Sequence, residues 1–92
     1  MLDRKEAQEL AEKFLAERSK AWPANKVRLI PESCFIDGGL FIAPYNSIEF
    51  LDRGDEMERL AGNFPVRVDL NTGQCGFITM TEADDLMDRG LF

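Results

Sequence analysis

Residues 64–80 read FPVRVDLNTGQCGFITM, and the pattern of that run narrows the possible folds sharply. Val66 and Val68 fall on one side of an extended chain and Arg67 on the other, as the two-residue period of a strand requires. Asn71-Thr72-Gly73 then turns the chain, with Gly73 suited to the left-handed position of a bulged hairpin. Residues 74–80 are predicted to return antiparallel, with Cys75, Phe77 and Thr79 alternating against Gly76, Ile78 and Met80.

The cover for this hairpin is predicted at the other end of the chain. Residues 4–20 carry Ala7, Leu10, Ala11, Phe14 and Leu15 at helical spacing, which makes one apolar stripe. Asp3 is a good N-cap, and Glu6 completes a capping-box pattern, with Leu2 and Ala7 at the staple positions. Glu9 and Lys13 form an i,i+4 pair on the wet face. Pro23 is expected to stop the helix, with Trp22 pushed toward extended geometry. Phe14 and Trp22 read as core.

Between these ends lie further extended segments. Residues 27–30 and 33–36 read as one strand interrupted at Pro31, hence an edge strand or a bulge. Asp37-Gly38-Gly39 is a tight turn, because glycine supplies positive φ cheaply. The glycine pair has none of the patterns of a phosphate loop. Residues 40–43 are continuously apolar, which predicts a central strand covered on both faces and ended by Pro44. A last short helix follows, with Thr81 as cap, Glu82, Asp84 and Asp85 in its first turn, Leu86 and Met87 docking it, and Gly90 ending it. The expected fold is a single α+β domain over residues 1–92. In it an N-terminal amphipathic helix packs on an antiparallel sheet of about four strands, with a short C-terminal helix.

Several function classes drop out. The chain has no histidine, which removes histidine acid–base, Ser-His-Asp, Cys-His and histidine–metal sites. Its two cysteines, Cys34 and Cys75, cannot make a four-ligand zinc site and read as buried thiols in a reducing compartment, with a disulfide or a redox thiol as the alternatives. No catalytic residue, metal site or cofactor is therefore expected. No apolar run approaches a membrane span, and the start MLDRKEAQEL is charged where a signal peptide would be apolar, so a cytoplasmic location is expected.

Charge is uneven. Residues 1–28 carry seven Lys and Arg against five acids, whereas residues 29–92 carry four Arg against twelve acids. The net of −6 disfavours nucleic acid and anionic lipid; on its own it reads first as simple solubility, with attraction of a basic partner as the alternative. Much of the excess lies in residues 47–60, which hold Glu49, Asp52, Asp55, Glu56 and Glu58 against Arg53 and Arg59. That segment reads as a short helix around Phe50 and Leu51 broken by Gly54. It has neither the alternate oxygen ligands of an EF-hand nor the burial that separates a carboxylate pair for glycosidase chemistry.

Residues 45–73 also carry a pattern. Tyr45-Asn46-Ser47, Phe50-Leu51-Asp52, Gly54-Asp55, Ala61-Gly62-Asn63, Pro65 and Asp69-x-x-Thr72-Gly73 together resemble the YrhB-like family, also called immunity protein 35. Where family members carry a Gly-Trp before the tyrosine, this chain has Gly39, Leu40 and Phe41. Members are predicted to neutralise the toxin encoded beside them. The resemblance implies a cytoplasmic immunity protein that occludes the active site of a cognate bacterial toxin, with a small chaperone-like housekeeping domain as the alternative. It marks Tyr45, Gly54, Asp55, Gly62, Asn63, Pro65, Asp69 and Gly73 as family-signature positions. The acids Glu49, Asp52, Asp55, Glu56 and Glu58, with Phe64 as an apolar anchor, are the expected partner-binding residues for a basic toxin such as a nuclease.

Overall fold

Asp3 opens the first helix, α1 (Arg4–Ser19), with both halves of a capping box in place: its carboxylate accepts the Glu6 N–H at 2.8 Å, and the Glu6 carboxylate accepts the Asp3 N–H at 3.3 Å. The computed structural model describes residues 1–22, 26–60 and 63–91. Ala7, Ala11 and Leu15 are the buried stripe of α1, with Leu2, Leu10 and Phe14 packed beside them. The Leu2 N–H donates to the Leu70 carbonyl at 2.8 Å, tying the helix start to the sheet. The helix ends at Ser19, ahead of Pro23, and Pro23 lies outside the described residues. Its ion pair is Lys20–Glu17 at 3.2 Å; among the described residues Glu9 and Lys13 form none.

Among the described residues six strands follow: β1 (Val27–Leu29), β2 (Phe35–Asp37), β3 (Leu40–Ala43), β4 (Tyr45–Ser47), β5 (Val66–Asp69) and β6 (Cys75–Phe77). They form an antiparallel four-stranded sheet of order β2-β3-β5-β6, and a separate two-stranded sheet of β1 with β4. The β2–β3 turn uses Gly38 and Gly39, both at positive φ. At the β5–β6 turn the Asp69 carboxylate accepts the N–H groups of Asn71 at 2.8 Å and Thr72 at 3.2 Å, and Gly73 takes φ +78°.

The register sorts the large sheet into two faces. Phe41, Ala43, Val66, Val68, Cys75 and Phe77 share one face, and α1 lies across it. Leu15, Phe41, Val66 and Val68 are the large side chains shut completely from solvent, each contributing about 1.5–3 kcal/mol by burial. Phe35, Leu40 and Ile42 line the other face. There Ile78, Ala83 and Leu86 close a second cluster under the last helix, α3 (Met80–Asp88). β3 is thus covered on both sides, as its apolar run predicts.

Four expectations need correction. Residues 27–30 and 33–36 are not one interrupted strand. Pro31 begins a 3-10 turn, Pro31–Ser33, that carries the chain from the small sheet into the large one. β6 stops at Phe77 rather than running to Met80. The cap of α3 is Thr79, not Thr81: its hydroxyl accepts the Glu82 N–H at 3.1 Å while the Glu82 carboxylate accepts the Thr79 N–H at 2.9 Å. Met87 does not dock α3. It is 59% exposed, and Ala83 fills that place beside Leu86.

Candidate functional site

Ser47 sits at the junction of the small sheet and the acidic segment. It is the N-cap of α2 (Ile48–Arg53), where its hydroxyl oxygen accepts the Phe50 N–H at 3.1 Å. The same hydroxyl donates to the Glu58 carbonyl at 2.7 Å. Gly54 ends α2 at φ +68°, where its N–H returns to the Phe50 carbonyl at 2.9 Å. Asp55 then caps a 3-10 turn, Glu56–Glu58, by accepting the Met57 N–H at 3.1 Å.

Two asparagines hold the far end of this turn. Asn46 Oδ1 accepts the Leu60 N–H at 2.8 Å, and its Nδ2 donates to the Leu60 carbonyl at 3.3 Å. Asn63 Nδ2 donates to the Tyr45 carbonyl at 2.9 Å. The acidic turn is therefore fastened to β4 by three consecutive residues of that strand: Tyr45 through its carbonyl, Asn46 and Ser47 through their side chains.

The expected partner-binding acids divide in two. Asp52 is bound by Arg28 at 2.6 Å, a pairing that holds the Arg28 guanidinium above its ordinary pKa, and Glu49 lies 3.5 Å from Arg53. Asp55, Glu56 and Glu58 make no ion pair among the described residues. Between them stands Met57, 90% exposed. Arg59 leaves the group by lying over the Phe50 ring, 5.5 Å from its centroid. Phe64 is half-buried: it packs on the cluster beneath α3 and borders a shallow aromatic groove with Trp22, Tyr45 and Phe77.

The signature positions have structural roles. Tyr45 and Asn63 are joined by the hydrogen bond above. Pro65 is buried and its carbonyl accepts the Ile78 N–H at 3.0 Å. Gly54 and Gly73 supply left-handed backbone, and Asp69 builds the hairpin turn. Ala61 and Gly62 lie outside the described residues.

Both cysteines are free thiols, and burial pushes each above its ordinary pKa, so the protonated, unreactive form prevails at neutral pH. Among the described residues no three Cys, Asp or Glu side chains gather to hold a metal, and no helix is long and apolar enough to cross a membrane. No family model, curated protein or solved structure matches the chain.

Met57 is the residue that sequence reasoning missed. It is an apolar side chain set directly between Glu56 and Glu58, and it is 90% exposed.

Proposed function

We propose that this chain is an immunity protein of the YrhB-like kind, a cytoplasmic binding protein that occludes the active site of a cognate bacterial toxin. The observation that carries the reading is the turn around Met57. Asp55, Glu56 and Glu58, which make no ion pair among the described residues, flank in sequence one apolar side chain that is 90% exposed, and β4 holds that turn in place through side-chain hydrogen bonds. A rim of unpaired charge steers a basic partner, and a central apolar residue supplies contact once the charges have aligned it. A nuclease, whose active site must attract phosphate, has the complementary sign. Asp52 and Glu49 add less, because Arg28 and Arg53 already offset them.

The absence of histidine and the protonated state of both thiols support binding rather than catalysis as the activity. A chaperone-like housekeeping role calls for a broad exposed apolar patch. A lone methionine ringed by acids favours one charged partner instead.

The test is co-expression with the toxin-like product of the adjacent gene, together with association rates at low and high salt. The double variant Glu56→Lys with Glu58→Lys leaves the Asp55 cap intact, and Ser47 grips Glu58 through its carbonyl, so the turn should survive. Association at low salt should slow about tenfold or more, its salt dependence should flatten, and protection should weaken. A variant that binds and protects like the parent would reduce the turn to a solubilising surface.

A further inference from the structure

We propose that the exposed shoulder of α3 that carries Met80, Asp84 and Met87 is a second docking surface, and that its occupant is a basic amphipathic helix of a partner protein. Ala83 and Leu86 turn α3 inward onto the sheet, each 4% exposed. Met80 and Met87, three and four residues from Ala83, stand on the shoulder of that buried face and are 64% and 59% exposed. These two are seven residues apart, two turns along one side of the helix, with Asp84 in the row between them. That spacing is the seam of a helix packed lengthwise against another, and methionine adapts readily to a partner's contours.

Charge selects the occupant. The acids on the flank nearer the sheet are neutralised from within: Glu82 by Arg67 at 2.9 Å and Asp85 by Arg89 at 2.7 Å. Asp84 and Asp88, beside the methionines, make no ion pair among the described residues. Asp88 also lies in the last turn, where the helix dipole disfavours an anion, and the C-cap Arg89 is engaged by Asp37 and Asp85 instead. A cation arriving at Asp84 and Asp88 therefore meets uncompensated charge next to unburied apolar surface. A second copy of this chain would bring like charges together, since its net charge is −6. A helix with a leucine stripe bordered by lysines fits both features at once.

This inference deepens the immunity reading and rests on it only for the partner's identity. The probe is a leucine–lysine amphipathic helical peptide, titrated into protein carrying isotope-labelled methionine methyls. The four methionines report separately, Met1 and Met57 standing as internal controls. The Met80 and Met87 methyls should shift together while Met57 stays put. Met80→Ser with Met87→Ser should weaken binding at least tenfold without altering the melting temperature, because neither side chain is in the core. Asp84→Asn with Asp88→Asn should weaken it and flatten its salt dependence. The proposal is overturned if no methyl moves, if Met57 moves as much as Met80 and Met87, or if a leucine–glutamate peptide binds equally well. Failure of toxin protection would sink the immunity reading and leave the methyl shifts to decide this face.

Discussion

Asn46 meets Leu60 at two points, accepting its N–H at 2.8 Å and donating to its carbonyl at 3.3 Å. One side-chain amide thus does for an irregular segment what a neighbouring strand does for a ladder: both backbone groups are satisfied at once. Asn46→Ala leaves both without that partner, and stability should fall by about 1–3 kcal/mol. Urea unfolding reads this directly, and an unchanged midpoint would show that the clamp adds nothing.

Gly73 has room for a methyl group but not the backbone for it. An added Cβ would meet Leu10 Cδ1 at 3.6 Å and Leu2 Cδ1 at 3.7 Å, ordinary contacts, while φ stands at +78°. Gly73→Ala should therefore cost about 1–2 kcal/mol from conformation alone. Gly73→Asn should cost less, because a short polar side chain tolerates that region better. Equal losses for the two would point to crowding instead.

Two carboxylates make the fold acid-sensitive. Hydrogen bonding from Arg89 holds Asp37 below the usual carboxylate range. Burial pushes Glu82 upward, but the Thr79 N–H and Arg67 outweigh it and the net shift is downward. Both groups are more acidic folded than unfolded. Their contribution is present above the ordinary carboxylate range and is lost as pH falls through about 4 and below. Melting curves from neutral to acidic pH should show that decline, and Asp37→Asn with Glu82→Gln should flatten it. A double variant with the parent's acid profile would assign the decline to other groups.

The two thiols should label in sequence. Cys75 is half-buried and Cys34 only 5% exposed. With both held protonated, an aromatic disulfide reagent at neutral pH should modify Cys75 slowly and Cys34 only as the protein opens. Adding denaturant should merge the two phases. Immediate labelling of Cys34 in the native protein would contradict its burial.

Elements set by neighbouring residues were legible in the sequence. Asp3 with Glu6, the Gly38-Gly39 pair, Gly54, Gly73 and Gly90 each act within a few residues, and each does what its chemistry predicts. Sheet membership is different. Nothing local to Pro31 says that the strands on either side of it join different sheets, because their partners, β4 and β3, are chosen by the packed core. Thr79 and Thr81 both precede an acid by three positions, but the Glu82 side chain reaches back to Thr79 and closes the box. Leu86 and Met87 lie 100° apart around a helix with Ala83 between them; the sheet takes Ala83 and Leu86, and Met87 falls at the exposed edge of that stripe. At the candidate site the acids were visible as charges. Which of them Arg28 would neutralise, from 24 residues away, was not.

Trp22 is the only tryptophan in the chain, and its ring is stacked on Tyr45 with centroids 5.9 Å apart. The Tyr45 carbonyl carries Asn63, and the next residue, Asn46, carries Leu60. The protein therefore has an optical gauge wired to its own acidic turn. A single strand separates the indole from that turn, so under the proposed function intrinsic fluorescence should report capture of a partner in real time without any attached dye.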